Sequence, residues 1–429
     1  MFTNTYVPHV GGVARSILTF EEDLRRMGHQ VLVVAPEYPE MKGGEGTVQP
    51  GEDILRLPAI QNFNGSDFSV RLPVPFVVDQ KIDAFAPDII HSHHPYLLGD
   101  SAVRAARRRS LPLVFTHHTM YEKYTHYVPL HSESMQRFAI SLATEYANLC
   151  DAVVAPSRSV GDLLERRGVN KPIHEIPTGV DTQKFAYGER QAFRRKHEIP
   201  GESFVIGHLG RLAPEKNLDY LTKSVARFLR GNTGARFLVV GDGPSRDDII
   251  SICRNKGVEN QLTMAGNLSG KDLVNAYHAM DLFVFASQSE TQGMVLTEAM
   301  AAGKPVIALD APGAREVVQD GENGRLLAAR SSQKDFARAI NNCANDGMVE
   351  TWRETALKTA QEFSRERSAE KLVNVYKELL REGRGTSEKD LTAFESFLES
   401  LGAEWDLFAQ KATAALSTAF REGSSENLS

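Results

Sequence analysis

The stretch from Ser289 to Glu316 reads S-E-T-Q-G-M-V-L-T-E-A-M-A-A-G-K-P-V-I-A-L-D-A-P-G-A-R-E and decides the fold class. It predicts a loop carrying Glu290, a helix that opens just after Gly293 and carries Glu298, and a buried strand from Pro305 to Leu309. A helix N-terminus presents free backbone N–H groups to an anion, and carboxylates accept hydrogen bonds from sugar hydroxyls. The stretch therefore predicts a site for a sugar phosphate, although the spacing of the two glutamates alone is common by chance.

Outward from this stretch, short apolar strands alternate with longer helical patterns, which predicts an α/β fold with parallel sheets covered by helices on both faces. The predicted strands of a first domain are Val31–Ala35, Ile89–Ser92, Leu113–Thr116 and Ala152–Ala155. Those of a second are Val205–Leu209, Arg236–Val240, Leu262–Ala265, Leu282–Ala286 and Pro305–Leu309. The segment Ile176–Phe185 contains Pro and Gly without periodicity and is the predicted hinge between the two domains.

Composition bounds the class of protein. A chain of 429 residues with 41% hydrophobic and 24% charged residues is typical of a globular protein with two domains. The net charge of −6 argues against a nucleic-acid partner. Its three cysteines are far apart, so they predict neither a disulfide framework nor a metal site, and they suit a reducing cytosol. Neither a signal peptide nor an apolar run of transmembrane length is visible, so any membrane contact is expected to be peripheral.

Two loops supply groups that suit a phosphate. Gly11 and Gly12 precede a predicted helix and let the backbone approach a ligand closely, although a Gly-Gly pair is usually just a turn. Arg211 and Lys216 follow a second-domain strand, at the sheet edge where parallel sheets bind ligands. Two fixed cations there can neutralise a diphosphate, whereas the bland interpretation is an exposed basic loop paired with Glu215.

Histidines are concentrated in H-S-H-H-P and T-H-H-T, which raises the question of a metal site. His91, His93 and His94 are too close together on an extended segment to converge on one ion, and no acidic partner follows at ligand spacing. An acidic cluster of the D-x-D type is also absent from any convincing loop. We therefore expect no metal and no other cofactor.

The pattern E-x-x-G-x-x-x-x-E-A-M-A-x-G-x-P-V-I-A, which begins at Glu290, resembles the retaining nucleotide-sugar glycosyltransferases of family 4. The resemblance extends from about Thr3 to about Leu380. It implies the GT-B fold, in which two Rossmann-like domains face a cleft. It also implies a late helix that crosses back to the first domain.

The resemblance further implies a role for each matching residue. The backbone of Gly12 would bind the donor diphosphate, Arg211 and Lys216 would hold the leaving group, and His118 would hydrogen-bond the transferred sugar. The backbone of Gly266 would contact the base of the nucleotide. The remaining donor-binding residues would be Glu290 for the hexose and Glu298 for the ribose, together with Gln292, Gly293 and Met294.

The acceptor is suggested by a narrower resemblance. The stretch T-M-Y-E-K-Y-T-H-Y and the T-Q-G after Glu290 resemble the bacterial enzymes that glycosylate diacylglycerol. This implies acceptor or membrane roles for Tyr121, Tyr124 and His126. UDP-glucose would be the donor and a lipid at the inner face of the cell membrane the acceptor.

Two further segments fit a peripheral membrane protein. Arg104, Arg107, Arg108 and Arg109 form a basic helix end, and Val70–Val78 reads as an apolar loop with two prolines. Cations near anionic lipid each contribute about 1 kcal/mol to binding. A solvated helix end explains the arginines equally well.

The predicted domains are residues 1–182 with a crossover helix at about 364–385, residues 183–363, and a helical tail over 386–429. Met1–Thr5 leaves room for only a stub of the first strand, so either that strand is short or the start lies upstream. In the tail, apolar residues recur alternately three and four apart, which predicts an amphipathic helix that Gly402 interrupts. A helical hairpin docked on the body and a homodimer seam are both open.

The sequence thus predicts a cytoplasmic, peripheral, metal-independent retaining enzyme that moves a hexose from a UDP-sugar to a lipid such as diacylglycerol. One alternative is the same chemistry on a soluble or polyprenyl-linked saccharide. A GT-B epimerase or phosphorylase fits less well, because epimerases lack the context of the two glutamates and phosphorylases need a pyridoxal lysine. A non-catalytic scaffold that assembles through the C-terminal helix is the alternative from another class.

Overall fold

The structure is a computed structural model, and it describes residues 1–9, 11–38, 53–57, 59–60, 70–71, 75–120 and 133–383, together with Thr392 and Ser396. It contains two parallel sheets, each with helices on both faces. We call the part built from the first sheet the first lobe and the part built from the second sheet the second lobe. This confirms the predicted α/β class.

The first lobe contains eight of the strands that the structure describes. They are β1 (Val33–Pro36), β2 (Ile54–Leu57), β3 (Ala59–Ile60), β4 (Val70–Arg71), β5 (Ile90–Ser92), β6 (Leu113–Thr116), β7 (Ala152–Ala155) and β8 (Ile173–Glu175). Strands β1 and β2 pair in parallel, as do β5, β6, β7 and β8 in that order, and β3 pairs with β4 in an antiparallel ladder. Phe2 forms parallel bridges to both Val34 and Ser92, so the chain start lies between the two groups of parallel strands.

The second lobe contains one six-stranded parallel sheet. Its strands are β9 (Val205–Leu209), β10 (Arg236–Val240), β11 (Leu262–Gly266), β12 (Leu282–Phe285), β13 (Val306–Leu309) and β14 (Gly324–Leu327). Their order across the sheet is β11, β10, β9, β12, β13, β14. The order reverses direction between β9 and β12, and loops that diverge at such a point leave a crevice for a ligand.

Helices cover both sheets. In the described part of the chain they are α1 (Gly12–Arg26), α2 (Pro75–Phe85), α3 (Leu98–Arg109), α4 (Glu133–Leu149), α5 (Arg158–Arg166), α6 (Thr182–Phe185), α7 (Arg190–Lys196), α8 (Leu218–Leu229), α9 (Arg246–Asn255), α10 (Gly270–Ala279), α11 (Met294–Ala301), α12 (Gln333–Asn345), α13 (Met348–Glu362) and α14 (Arg365–Glu382). Short 3₁₀ turns at Pro214–Lys216 and Glu259–Gln261 complete the list. The central strands are buried along their whole length because helices pack on both faces.

Helix α14 returns to the first lobe. Its residues Leu372 and Val373 share one apolar cluster with Ile17 of α1. At its first residue, Arg365 forms ion pairs with Asp23 at 2.8 Å and with a neighbouring glutamate of α1. The chain therefore crosses back, whereas the exact domain limits stay a prediction.

The sequence missed five of the described strands, β2, β3, β4, β8 and β14, and each has four residues or fewer. Strand β8 has three residues that are half-buried or exposed. Strand β14 begins at Gly324, where an added Cβ would lie 2.0 Å from the carbonyl oxygen of Val306, so the close approach of two backbones requires glycine.

Two further expectations differ from the structure or lie outside it. The expected apolar loop Val70–Val78 contains β4 and the first turn of α2, where Pro75 occupies the first helical position that proline favours. The tail lies outside the described residues apart from Thr392 and Ser396. In the described part of the chain, every helix is too short or too polar to cross a membrane.

Candidate functional site

The loops that follow the strands of both sheets enclose a cavity of about 200 Å³ between the lobes. The first lobe contributes residues that follow β6, β7 and β8, and the second lobe contributes residues that follow β9 and β12. The cavity brings together seven of the predicted site residues, namely Gly12, His118, Lys216, Glu290, Gln292, Gly293 and Met294. Residues that are up to 282 positions apart in the chain, from Gly12 to Met294, therefore meet at one place.

Lys216 and Glu290 form an ion pair inside this cavity. The Lys216 Nζ lies 2.5 Å from Glu290 Oε1, and both side chains are about one-fifth exposed. The lysine ends the 3₁₀ turn Pro214–Lys216, and Ser289 ties the opposite loop to that turn by donating to the carbonyl oxygen of Glu215 at 3.1 Å. A cation and a carboxylate are thus held side by side on separate loops.

Gly293 opens the helix that carries Glu298. Its left-handed backbone (φ 71°) turns the chain into α11, whose first N–H groups face the cavity at Met294. Gly313, also left-handed (φ 83°), packs directly beneath: a Cβ at Gly313 would lie 2.9 Å from the Cβ of Glu290 and 3.1 Å from the N of Gly293. The backbone beside the cavity therefore depends on a second glycine that the sequence did not single out.

Gln292 lines the cavity and also forms hydrogen bonds to the first lobe. Its Oε1 accepts from the N–H of Thr178 at 2.7 Å, and its Nε2 donates to the carbonyl oxygen of Thr178 at 2.6 Å. Thr178 Oγ1 also lies 2.6 Å from the hydroxyl oxygen of Ser16 on α1. Gln292 is buried and its amide links the second lobe to the first, so it helps to hold the two lobes together beside the cavity.

Glu298 faces a neighbouring cavity of about 160 Å³. Its Oε1 pairs with Arg15 of the first lobe at 2.6 Å, and its Oε2 accepts from the hydroxyl of Tyr277 at 2.8 Å. Burial, and then the charge of Glu298, raise the pKa of Tyr277 well above its usual value, so this hydroxyl keeps its proton for the carboxylate. The sequence missed Arg15, although its position one turn into the helix after Gly12 was an available signal.

His118 lines the cavity and stands at the end of a row of three histidines, His91, His93 and His118. His93 Nδ1 lies 2.9 Å from His118 Nε2, and the ring of His91 stacks on His93 with centroids 4.3 Å apart. His91 in turn contacts the hydroxyls of Thr116 at 2.7 Å and Tyr376 of α14 at 2.6 Å. This chain of contacts fixes the orientation of His118. The described residues contain no cluster of three or more His, Cys, Asp or Glu that suits a metal, and metal independence stays a prediction.

Burial determines the charge of the histidines in and around this row, and it makes the stability of the fold depend on pH. Desolvation lowers the pKa of His94, His117 and His118 to about 3, so they are neutral in the folded protein at pH 7. The unfolded chain takes up protons first as the pH falls below about 6.5. Stability is therefore complete above that pH and is lost progressively below it.

Between pH 7.5 and 5.5 we expect the free energy of unfolding in urea to fall by at least about 3 kcal/mol, because each of these three histidines contributes about 1 kcal/mol over that interval. Burial also lowers the pKa of His91, His93 and His208, which adds to the loss in the same direction. Burial raises the pKa of Glu21 and of Asp23, and their protonation works in the opposite direction at still lower pH. Equal stability at the two pH values would contradict buried neutral imidazoles.

Seven predicted residues lie elsewhere in the structure or outside the described residues. Arg211 is exposed and lines neither cavity, and Gly266 ends β11 with a left-handed backbone, where its carbonyl oxygen accepts from the N–H of Gly241 at 2.8 Å. Arg107 is buried, with its Nη2 donating to the carbonyl oxygen of Leu149, which differs from the expected solvent-facing cation. Arg108 pairs with Asp79 of α2. The expected acceptor residues Tyr121, Tyr124 and His126 lie outside the described residues.

The chain matches two family profiles over most of its length. The profile described as "Glycosyltransferase Family 4" matches residues 10–184, and "Glycosyl transferases group 1" matches residues 189–366. Among curated proteins, a GDP-mannose-dependent alpha-mannosyltransferase of Mycobacterium tuberculosis is 32% identical over 80% of this chain and 86% of its own. An alpha-monoglucosyldiacylglycerol synthase of Streptococcus pneumoniae is 30% identical over 79% of this chain and 76% of its own.

Solved structures give the same architecture. The crystal structure of Anabaena HepE in complex with UDP has a TM-score of 0.71 and 22% identity, covering 88% of this chain and 98% of that one. A sucrose-phosphate synthase from Thermosynechococcus elongatus has a TM-score of 0.70 at 20% identity, covering 89% and 98%. With two facing parallel-sheet lobes, a crossover helix and paired glutamates at the cleft, the chain belongs to the family 4 glycosyltransferases and has the GT-B fold.

Proposed function

We propose that this glycosyltransferase moves glucose from UDP-glucose to a lipid acceptor such as diacylglycerol, with retention of the anomeric configuration. The observation that carries the proposal is the cavity in which Gly12, His118, Lys216, Glu290 and Gly293 meet. It combines a helix N-terminus, a cation, a carboxylate and a neutral imidazole. A diphosphate needs the first two, and hexose hydroxyls need the last two.

In this proposal each group has a separate task. Lys216 and Arg211, with the N–H groups at Gly12 and Met294, bind the diphosphate and stabilise the charge that develops as it leaves. Glu290 and His118 form hydrogen bonds with the hexose hydroxyls. Glu290 also forms an ion pair with Lys216 at 2.5 Å. Donor binding therefore replaces an existing ion pair with contacts to phosphate on one side and sugar on the other.

Glu298 would bind the ribose. Its carboxylate is 4% exposed and already bound by Arg15 and Tyr277, so ribose hydroxyls must displace Arg15 to reach Oε1. Because Arg15 belongs to the first lobe, loading of the nucleotide is coupled to the relative position of the two lobes.

For retention we propose a substitution on a single face of the sugar. The bond from the anomeric carbon to the donor phosphate breaks, and the acceptor hydroxyl forms the new bond on the same side. The acceptor proton passes to the departing phosphate oxygen. Closure of the lobes excludes water and so limits hydrolysis of the donor.

The lipid acceptor is supported by the relatives from Streptococcus pneumoniae and Acholeplasma laidlawii, both named alpha-monoglucosyldiacylglycerol synthase. A second candidate donor is GDP-mannose, because GDP-mannose-dependent alpha-mannosyltransferases of similar or higher identity align over 75–80% of this chain. A saccharide acceptor also remains a candidate, since D-inositol 3-phosphate glycosyltransferases are related.

The test is transfer of label from UDP-[¹⁴C]glucose or GDP-[¹⁴C]mannose, each offered diacylglycerol vesicles or a pool of soluble saccharides. We expect label in the lipid phase from UDP-glucose, an α-linked product by NMR, and no loss of rate in EDTA. If only GDP-mannose labels the lipid, the donor is GDP-mannose and not UDP-glucose. If the label appears in the soluble phase, the acceptor is a saccharide and not a lipid. If no acceptor is labelled and no nucleoside diphosphate is released, the chain is not the proposed enzyme.

A further inference from the structure

We call the cavity that Lys216 and Glu290 line the donor cavity. A second cavity beside it, also between the lobes, is larger, at about 320 Å³. Its first-lobe wall is the outer part of α5, with Asp162, Arg166 and Arg167, and its second-lobe wall is the loop after β13, with Arg315. Met120 lines both cavities, so they are neighbours across one side chain. Any group bound in the second cavity is therefore close to the site of transfer.

The charge of this cavity is unbalanced. Three arginines and one aspartate line it, and Asp310, which pairs with Arg315, offsets one more charge, which leaves a formal excess of one positive charge. Arg315 shares its guanidinium with Asp310 at 2.8 Å, and the side chains of this pair are 46% and 42% exposed, so water and a competing anion can reach them. Arg166 is exposed at the end of α5. Guanidinium groups arranged around a cavity suit the planar or tetrahedral oxygens of a carboxylate or a phosphate.

The walls of the cavity are fixed to each other. Glu316, next to Arg315, accepts from the N–H of Ser159 in α5 at 2.9 Å and from the N–H of Gly313 at 2.8 Å. These two bonds hold the first turn of α5 against the loop after β13, and backbone donors thereby engage both oxygens of the Glu316 carboxylate. The arginines on the two lobes are thereby kept on facing walls.

The location favours the acceptor over the donor. The phosphates of the donor are assigned to Lys216 in the neighbouring cavity, where a helix N-terminus also opens. Met120, which lines both cavities, and α5, which carries Arg166, belong to the first lobe, whereas Lys216 belongs to the second. A cationic cavity on the acceptor side raises the local concentration of anionic acceptors and selects among them.

We propose that this cavity binds an anionic group, a phosphate or carboxylate, on the acceptor while the acceptor hydroxyl enters the donor cavity past Met120. This inference rests on the proposed sugar transfer and changes the acceptor class: in place of uncharged diacylglycerol, it specifies a lipid or saccharide with an oxyanion close to the hydroxyl that is glycosylated. Arg166 and Arg315 are the side chains that select it, one from each lobe. Uncharged acceptors bind without this contribution.

The test compares equilibrium binding of matched glycosides by calorimetry: methyl glucoside against its 6-phosphate, and octyl glucoside against its 6-phosphate. We expect the phosphorylated member of each pair to bind at least tenfold more tightly. The preference should fall below twofold in an Arg166→Gln/Arg315→Gln double variant. It should persist in Arg195→Gln, which removes one exposed arginine of α7 that does not line the cavity.

Two further variants make the result decisive. The double variant Arg166→Lys/Arg315→Lys retains the charges and should recover at least part of the preference. If the preference disappears in Lys216→Ala and survives in the double glutamine variant, the phosphate is bound in the donor cavity and the inference is wrong. Equal binding of the charged and uncharged glycosides by the unaltered protein also overturns it.

The two glycoside pairs separate the sources of the anion. Tighter binding of the octyl phosphate than of the methyl phosphate indicates a lipid-linked acceptor, and equal binding indicates a soluble one; both support an anionic acceptor. Failure of the proposed function gives a different result. Sugar transfer and release of nucleoside diphosphate are then absent, while the arginine-dependent preference for the phosphorylated glycosides remains.

Discussion

Lys216→Ala is expected to lower the turnover number by about 10²–10³-fold, the range found when one preorganised group that stabilises transition-state charge is removed. The ammonium lies in the donor cavity, 2.5 Å from Glu290 Oε1 and only 18% exposed, so water replaces it poorly. Turnover is measured as release of nucleoside diphosphate from whichever nucleotide sugar the transfer assay identifies. Glu290→Ala is expected to act in the same direction, because it removes the hexose contact and leaves the lysine unpaired.

The matched control is Lys223→Ala in α8. That lysine pairs with Asp219 on the outer surface of the same lobe, at 2.8 Å and 37% exposed. Its loss should change turnover by less than twofold. A Lys216→Ala rate within tenfold of the unaltered enzyme, with an unchanged melting temperature, would exclude Lys216 from the diphosphate site.

Gly313→Ala is expected to reduce turnover by at least about 10²-fold without touching any substrate-contacting side chain, since a misplacement near 1 Å costs that much. The new Cβ would lie 2.9 Å from the Cβ of Glu290 and 2.9 Å from the carbonyl carbon of Gln292. The crowded atoms include backbone, so the loop beside the cavity must shift. The shift moves the hexose carboxylate and the N-terminus of α11 together.

Gly321→Ala separates this effect from backbone strain. Gly321 has nearly the same left-handed backbone (φ 81° against 83°), but a Cβ there meets no heavy atom within 4 Å. Both alanines should destabilise the fold by about 1–2 kcal/mol through the left-handed conformation. Only Gly313→Ala should lose activity at a temperature where both variants are folded. Equal activity in the two variants would show that the glycine beneath the loop has no role in positioning it.

The sequence predicted much of the fold because buried parallel strands have a strong local pattern. The strands at 113–116, 152–155, 205–209 and 236–240 lie where the apolar runs place them. Strands β8 and β14 were missed because each is short and at the edge of a sheet, so burial does not mark its residues. Edge strands form through pairing with a neighbour that is distant in sequence, and that pairing leaves little local signal.

The candidate site shows the same division. A motif can indicate that Glu290 and Gly293 belong together, because a loop and the helix after it are local. Contacts between the lobes cannot be read from a single chain segment: Arg15 with Glu298 at 2.6 Å, and Thr178 with Gln292 at 2.7 Å. Gly313 was missed for a related reason, since a glycine that is needed for close approach resembles one that only makes a turn.

The amide of Gln292 makes both of its hydrogen bonds to main-chain atoms of Thr178. A joint of this kind survives substitution of residue 178, because every amino acid except proline offers the same N–H and C=O. Natural or engineered hybrids can join the N-terminal lobe of one family member to the C-terminal lobe of another. The two lobes of such a hybrid should therefore pack correctly wherever the glutamine is kept. Recombination at this seam offers a direct route to new combinations of activated sugar and recipient.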